Sequence, residues 1–367
     1  MRKFESYIVG YYGMQNTGDD ALLAATILGA KRHFGHNKIL VSSNETTVQF
    51  DESVVVSTLK SEPMFPGQNR LIHYMNALRS EQVIFGGGSV LHSARDLDLK
   101  RHLIALTANK KGFALGVGIE DFKTAEDELA CMRFLNACTV VATRDAQSFE
   151  IAKKLAPNAN IVEAFDLAPM LASVSSFNEN ICRRGVCINL CPLFINAMGS
   201  RDYLSEDKLI SAIATAIQMV WEETKEPITL MSFNGHQHQS DEILLQRVYD
   251  LVSNTVPVKR IAYSQNPLKT LQQIKRFKIV MGMRLHFNVF AYLTGTPCIS
   301  LNYHPKSEAW CKQIGKSERF QMNAFYCNTN SLIDATLSIL RGEEKRTDTL
   351  PISTAVAKAN SNWELSL

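Results

Sequence analysis

Residues 278–306 read KIVMGMRLHFNVFAYLTGTPCISLNYHPK. The apolar run 279–283 has the length of a buried strand, and Arg284-Leu285-His286 falls where that strand ends. Residues 286–293 follow with a broad apolar helical face, and Thr294-Gly295-Thr296-Pro297 supplies the stop signal. A second buried strand is predicted over 298–301, with Tyr303-His304-Pro305-Lys306 leaving it as a loop. In a parallel α/β sheet, ligands bind beyond the carboxyl ends of strands, near helix N-termini. The stretch therefore sets Arg284, His286, His304 and Lys306 at two such ends. A permanent cation, two titratable imidazoles and an amine suit an anionic substrate that needs proton transfer.

The same strand-then-helix rhythm runs through the whole chain. Strands are expected over 6–9, 38–42, 53–57, 82–85, 113–117, 139–142 and 160–163, then again over 186–190, 228–231 and 260–263. Helices are expected between them, with 21–34, 97–108, 202–223 and 242–252 among the clearest. A length of 367 residues exceeds one compact core. The reading is α/β with two domains: 1–175, then 180–345, joined by a polar linker over 173–180. Residues 346–367 form a C-terminal segment whose helix packs back on the first domain.

Composition narrows the function classes. A net charge of +3 gives no basic field of the kind nucleic-acid binders carry. The eight cysteines form no CxxC pair and sit mostly among apolar neighbours, as small buried hydrophobes do in a reducing compartment. No run has the roughly 18 apolar residues of a membrane span, and residues 7–12 are too short for a signal-peptide core. The expected location is cytoplasmic, at most peripheral at the inner face of the membrane.

Several turns offer ligand contacts. GYYGMQNTGDD, residues 10–20, is a glycine-bearing strand-to-helix turn without nucleotide-motif spacing. In it Asn16, Gly18 and Asp19 are candidate contacts, while the plainer reading makes Asn16 and Asp19 turn and cap residues. Gly86-Gly87-Gly88-Ser89 ends a strand, where glycine lets the backbone approach a ligand or a facing domain. Asp145 caps the helix after Thr143, leaving Arg144 as a candidate phosphate or carboxylate ligand. His236 and His238 form an HxH without a third ligand, which is weak support for a metal, so none is assigned; His236 is kept as a polar contact. Asp241 is read as the cap of the helix that follows.

The segments GYYGMQNTGDDALL, FGGGSVLHSARD, ATRDAQS and MGMRLHFNVFAYLTGTPCISLNYHPK, in that order, resemble the polysaccharide pyruvyl transferase family. The resemblance implies two Rossmann-like domains facing across a cleft, as in type B glycosyltransferases. It implies transfer of a pyruvyl group from phosphoenolpyruvate (PEP) to two hydroxyls of one sugar, forming a cyclic ketal and releasing phosphate. On it, His286 is the general acid, while Arg284 and Arg144, with Leu285 and Lys306, hold PEP. The acceptor is an oligosaccharide, a lipid-linked repeat or a nucleotide sugar, on the side of the first domain. Chemistry agrees: arginines orient a multiply charged donor, histidine protonates its methylene carbon, and no cofactor or metal is demanded. Two other readings share the scaffold: a nucleotide-sugar glycosyltransferase, and a non-catalytic module binding anionic glycans.

Overall fold

A computed structural model of the protein describes the chain apart from residues 1–2, 45–50, 89–90, 92, 121, 175–180, 194–199, 238 and 365–367. The chain divides into two units, one comprising 1–14, 19–174 and 353–367, the other 15–18 and 175–352.

The first unit holds a seven-stranded parallel sheet: β1 (Phe4–Val9), β2 (Ile39–Ser43), β3 (Val54–Thr58), β4 (Ser80–Gly88), β5 (Lys111–Val117), β6 (Val140–Thr143) and β7 (Ile161–Glu163). Its order is β3-β2-β1-β4-β5-β6-β7, so the strand sequence reverses between β1 and β4. The connecting helices are α1 (Thr17–Phe34), α2 (Gln68–Leu78), α3 (Ala94–Leu106), α4 (Ala125–Ala137) and α5 (Ala146–Leu155). Strands such as Ile39-Leu40-Val41-Ser42-Ser43 are buried throughout, as expected where parallel strands are covered on both faces.

The second unit repeats the design with β8 (Val186–Asn189), α6 (Tyr203–Thr224), β9 (Ile228–Met231), α7 (Glu242–Val252), β10 (Val258–Ile261) and α8 (Pro267–Ile274). It continues through β11 (Ile279–Gly282), α9 (Leu285–Leu293), β12 (Cys298–Asn302), α10 (Pro305–Gln313), β13 (Gln321–Asn323) and α11 (Thr329–Leu340). All its strand pairs are parallel, in the order β10-β9-β8-β11-β12-β13, with the reversal between β8 and β11. The last helix, α12 (Ile352–Asn360), clusters with the first unit. There His33 meets Asn360, and Trp363 packs on Gly29 and edge-on to Phe34.

Three local expectations change. The glycines Gly86–Gly88 continue β4 instead of leaving it as a loop. A Cβ at Gly86 would overlap Thr26, and one at Gly87 would come within 2.7 Å of Leu22. Close packing of α1 of the same unit accounts for both glycines; Ser89 lies outside the described residues. The helix expected over 21–34 starts four residues earlier, because the Asn16 side chain accepts the Gly18 N–H at 2.9 Å and caps it. Residues 305–313, expected to begin as a loop, form α10, with Pro305 in the first turn where its missing N–H is harmless.

Candidate functional site

The reversal between β8 and β11 gathers most of the residues singled out in the sequence. β11 ends at Gly282, and Arg284 stands at the start of α9 in extended conformation, without a side-chain cap on that helix. The first N–H groups of α9 and its dipole thus face the carboxyl edge of the sheet, an environment suited to an anion. Leu285 is buried, so its side chain belongs to the core and only its backbone could meet a ligand. On the neighbouring strand end His304 caps α10, accepting from the Lys306 N–H at 3.4 Å. Both residues are half-buried.

Arg284 is the centre of a built network. Its Nε donates to Asp241 at 2.9 Å, and its Nη2 reaches Asp241 at 2.8 Å and the Gln239 carbonyl at 2.7 Å. Its backbone N–H donates to Asn189 Oδ1 at 3.2 Å, across from β8. The other Asp241 oxygen accepts from Asn189 Nδ2 and the Phe233 N–H at 2.8 Å each, and from the Asn234 N–H at 3.1 Å. Burial pushes the Asp241 carboxyl upward, opposed by Arg284 and these donors. With donors aimed at both oxygens, a carboxyl proton would have no acceptor to point at, so the group is a carboxylate. Burial pulls the Arg284 guanidinium down, and Asp241 more than reverses this, holding the cation firmly charged. Beside it, burial raises the Cys191 thiol to about 11 and lifts the Tyr303 phenol, so both are neutral.

Asp241 was expected to cap α7; instead it adopts helical dihedrals, gives that helix no side-chain cap, and turns inward to Arg284. A buried guanidinium demands an anion or a carboxylate, and that demand was the sequence signal for Asp241. Which of the chain's acids met it was not legible. Asn189, the other anchor of the network, had no signal at all.

The loop Gln15–Gly18 clusters with this unit. Gln15 takes the left-handed conformation, φ 55°, uncommon for a residue with a Cβ. Its carbonyl accepts the Gly235 N–H at 2.9 Å, Thr17 N–H donates to Phe233 O at 3.0 Å, and Asn16 bridges Asn234. Phe233 packs edge-on to Phe287 and Phe290 of α9 and fixes the loop there. The result is close apposition: a Cβ on Gly18 would stand 2.5 Å from His286 Nδ1. His236, whose N–H is held by Asn234 Oδ1 at 2.8 Å, follows on the same loop; His238 lies outside the described residues. The structure thus brings Asn16, Gly18, His236, Arg284 and His286 into one neighbourhood of one unit.

Asp19, Gly87, Gly88 and Arg144 belong to the first unit. Asp145 caps α5, accepting the Ser148 N–H at 2.8 Å, as the sequence indicated. Arg144 is buried, pairs with Asp145 at 3.4 Å, and lies over Gly118, where a Cβ would meet its Nε at 2.7 Å. Among the described residues no three His, Cys, Asp or Glu side chains gather as metal ligands.

Two Rossmann-like parallel-sheet units make this a protein of the type B glycosyltransferase class of folds. UDP-GlcNAc 2-epimerases share it: that of Neisseria meningitidis, bound to UDP-GlcNAc, has TM-score 0.58 at 10% identity over 98% of both chains. That of Methanocaldococcus jannaschii, in complex with UDP-GlcNAc and UDP, has TM-score 0.56 at 14% identity, covering 97% of this chain and 96% of its own. Identities this low establish the fold alone. No protein of curated function matches the sequence. The family model for polysaccharide pyruvyl transferase matches residues 16–305. The chain belongs to the polysaccharide pyruvyl transferase family and is a transferase.

Proposed function

We propose that this transferase moves the pyruvyl group of PEP onto two hydroxyls of one sugar of a polysaccharide or its precursor, with His286 as the general acid. One observation carries the reading: at the strand-order reversal of the second unit, a guanidinium locked by Asp241 stands two residues before an imidazole seated on Gly18. Both lie at the uncapped start of α9. The helix N-terminus and the Arg284 guanidinium are suited to the donor's anionic groups, and Lys306 supplies further cationic charge.

Protonation of the PEP methylene by His286 forms the methyl C–H bond and leaves positive character on the adjacent carbon. One sugar hydroxyl attacks that carbon, the carbon–oxygen bond to phosphate breaks, and the second hydroxyl closes the ketal. Of the two hydroxyl protons, one replaces that given by His286 and the other leaves with phosphate. No redox partner is needed. A PEP donor places the reaction on the cytoplasmic side, and among the described residues no helix is long and apolar enough to cross a membrane.

His286→Gln tests the assignment. Loss of a general acid lowers kcat by roughly 10²–10⁴-fold, with PEP affinity little changed. The imidazolium is the working form, so the wild-type rate falls on the alkaline side and the variant's residual rate does not. Intact kcat with lost PEP binding would reduce His286 to a donor ligand and move the acid to His304.

A further inference from the structure

The first unit contains a cavity of about 160 Å³ that the reading above leaves unused. It is bordered by Gly10 and Tyr11 just past β1, Asn44 just past β2 and Leu59 just past β3, with its other walls from α2 and α3. It therefore lies beyond the carboxyl ends of the strands beside the reversal between β1 and β4. Ligands of open parallel sheets bind at such a place. Its position in the first unit matches that of the Arg284 neighbourhood in the second.

Two polar side chains give it specific chemistry. His73, on α2, is buried, and its Nδ1 lies 2.7 Å from the Tyr7 hydroxyl, whose oxygen also accepts from Asn76 Nδ2 at 3.4 Å. Burial holds His73 down at about 4 and Tyr7 up at about 12, so the imidazole is neutral and the phenol keeps its proton. With the phenol proton directed at Nδ1, the imidazole proton sits on Nε2, the tautomer that would offer the cavity a donor. Asp96, on α3, pairs through one oxygen with Lys100, itself buried, while about a third of its side chain stays exposed. Its other oxygen makes no hydrogen bond to a described residue. The carboxylate thus offers an acceptor whose charge Lys100 already balances.

The apolar surface comes from Leu59, Leu99 and Leu103, with Asn44 and the half-exposed ring of Tyr11 at the border. The volume admits one six-membered ring, as an engineered protein cavity of about 150 Å³ admits benzene, with ring substituents left at the half-exposed border. A balanced ion pair argues against a phosphate or carboxylate, and the alternation of polar edge and apolar face matches a pyranose.

We propose that this cavity binds one neutral pyranose ring, the acceptor sugar or its neighbour in the acceptor glycan, through His73 Nε2, the outer oxygen of Asp96 and an apolar face. That the sugar belongs to the acceptor rests on the pyruvyl-transfer reading; that the cavity binds a neutral ring does not. The test is saturation-transfer NMR on the full chain with methyl glucoside, methyl galactoside and methyl mannoside. At least one should show transfer, abolished by Leu99→Trp, which fills the cavity from a half-buried position, and weakened about tenfold or more by Asp96→Asn. PEP binding in both variants should stay within about twofold of wild type. If Asp96→Asn fails to fold for want of a partner to Lys100, Leu99→Trp decides. Absence of transfer from all three glycosides, or transfer that survives Leu99→Trp, overturns the proposal. A wild type that binds glycoside in the cavity yet releases no phosphate from PEP overturns the pyruvyl-transfer reading and leaves the cavity's assignment standing.

Discussion

Arg284 and Asp241 act as one residue pair, and removing either partner exposes what the other does. Asp241 is fully buried and the Arg284 side chain is only 16% exposed, so truncating one strands a charge in a low-dielectric site. Asp241→Ala should lower stability by about 3–5 kcal/mol, read as a shift in denaturant midpoint; a loss below about 1 kcal/mol would mean the pair is solvated. Arg284→Lys keeps the charge and loses the fork, so it should retain more stability than Arg284→Ala while still weakening PEP binding. His73 gives a second readout at this scale, in pH. Its folded value, about 4, lies below the ordinary histidine value of about 6.5. Between those limits the unfolded chain binds the proton and the folded chain does not. Its contribution is therefore complete above about pH 6.5 and lost as pH falls towards 4, by a ceiling on the order of 3 kcal/mol. Chemical denaturation across that window should show a slope that His73→Phe flattens; an unchanged slope would contradict a neutral, buried His73.

Helix starts are where the elements make the site, and Gly18 is the clearest instance. It lies in the first turn of α1, where alanine would favour the helix by about 1 kcal/mol. Yet a Cβ there would press on the His286 ring at 2.5 Å. Gly18→Ala should consequently lower kcat by about tenfold to a hundredfold through misplacement of the ring, with little change in the unfolding midpoint; unchanged turnover would show that the ring has room to move. The same elements show what a sequence can carry. The apolar run after Pro227 and the apolar periodicity of 242–252 place β9 and α7 at their observed ends, because buried parallel strands and amphipathic helices are written in adjacent residues. Pro305, read as part of a loop, opens α10 instead, because a proline in a first helical turn and one in a loop look alike in sequence. What local pattern could not hold was partnership between distant residues. Asp241 turns towards Arg284 rather than its own helix, Gln15–Gly18 joins a unit whose other residues begin at 175, and the glycines of β4 answer to Thr26 and Leu22.

At the scale of the whole molecule, one design occurs twice: a parallel sheet whose strand order reverses, with polar side chains gathered at the reversal. In the first unit these are His73 and Asp96, in the second Arg284, Asp241 and His286. The family resemblance in the sequence and the family match agree on a transferase acting in polysaccharide synthesis, and the account's central claim is that PEP is the donor. The most direct measurement combines the purified chain, PEP and a library of candidate glycans, following phosphate release together with product mass. The account predicts phosphate released in step with a product heavier than its acceptor by pyruvic acid less one water, carrying one added negative charge. Nucleoside diphosphate released from a nucleotide sugar under the same conditions, with no phosphate from PEP, would contradict it.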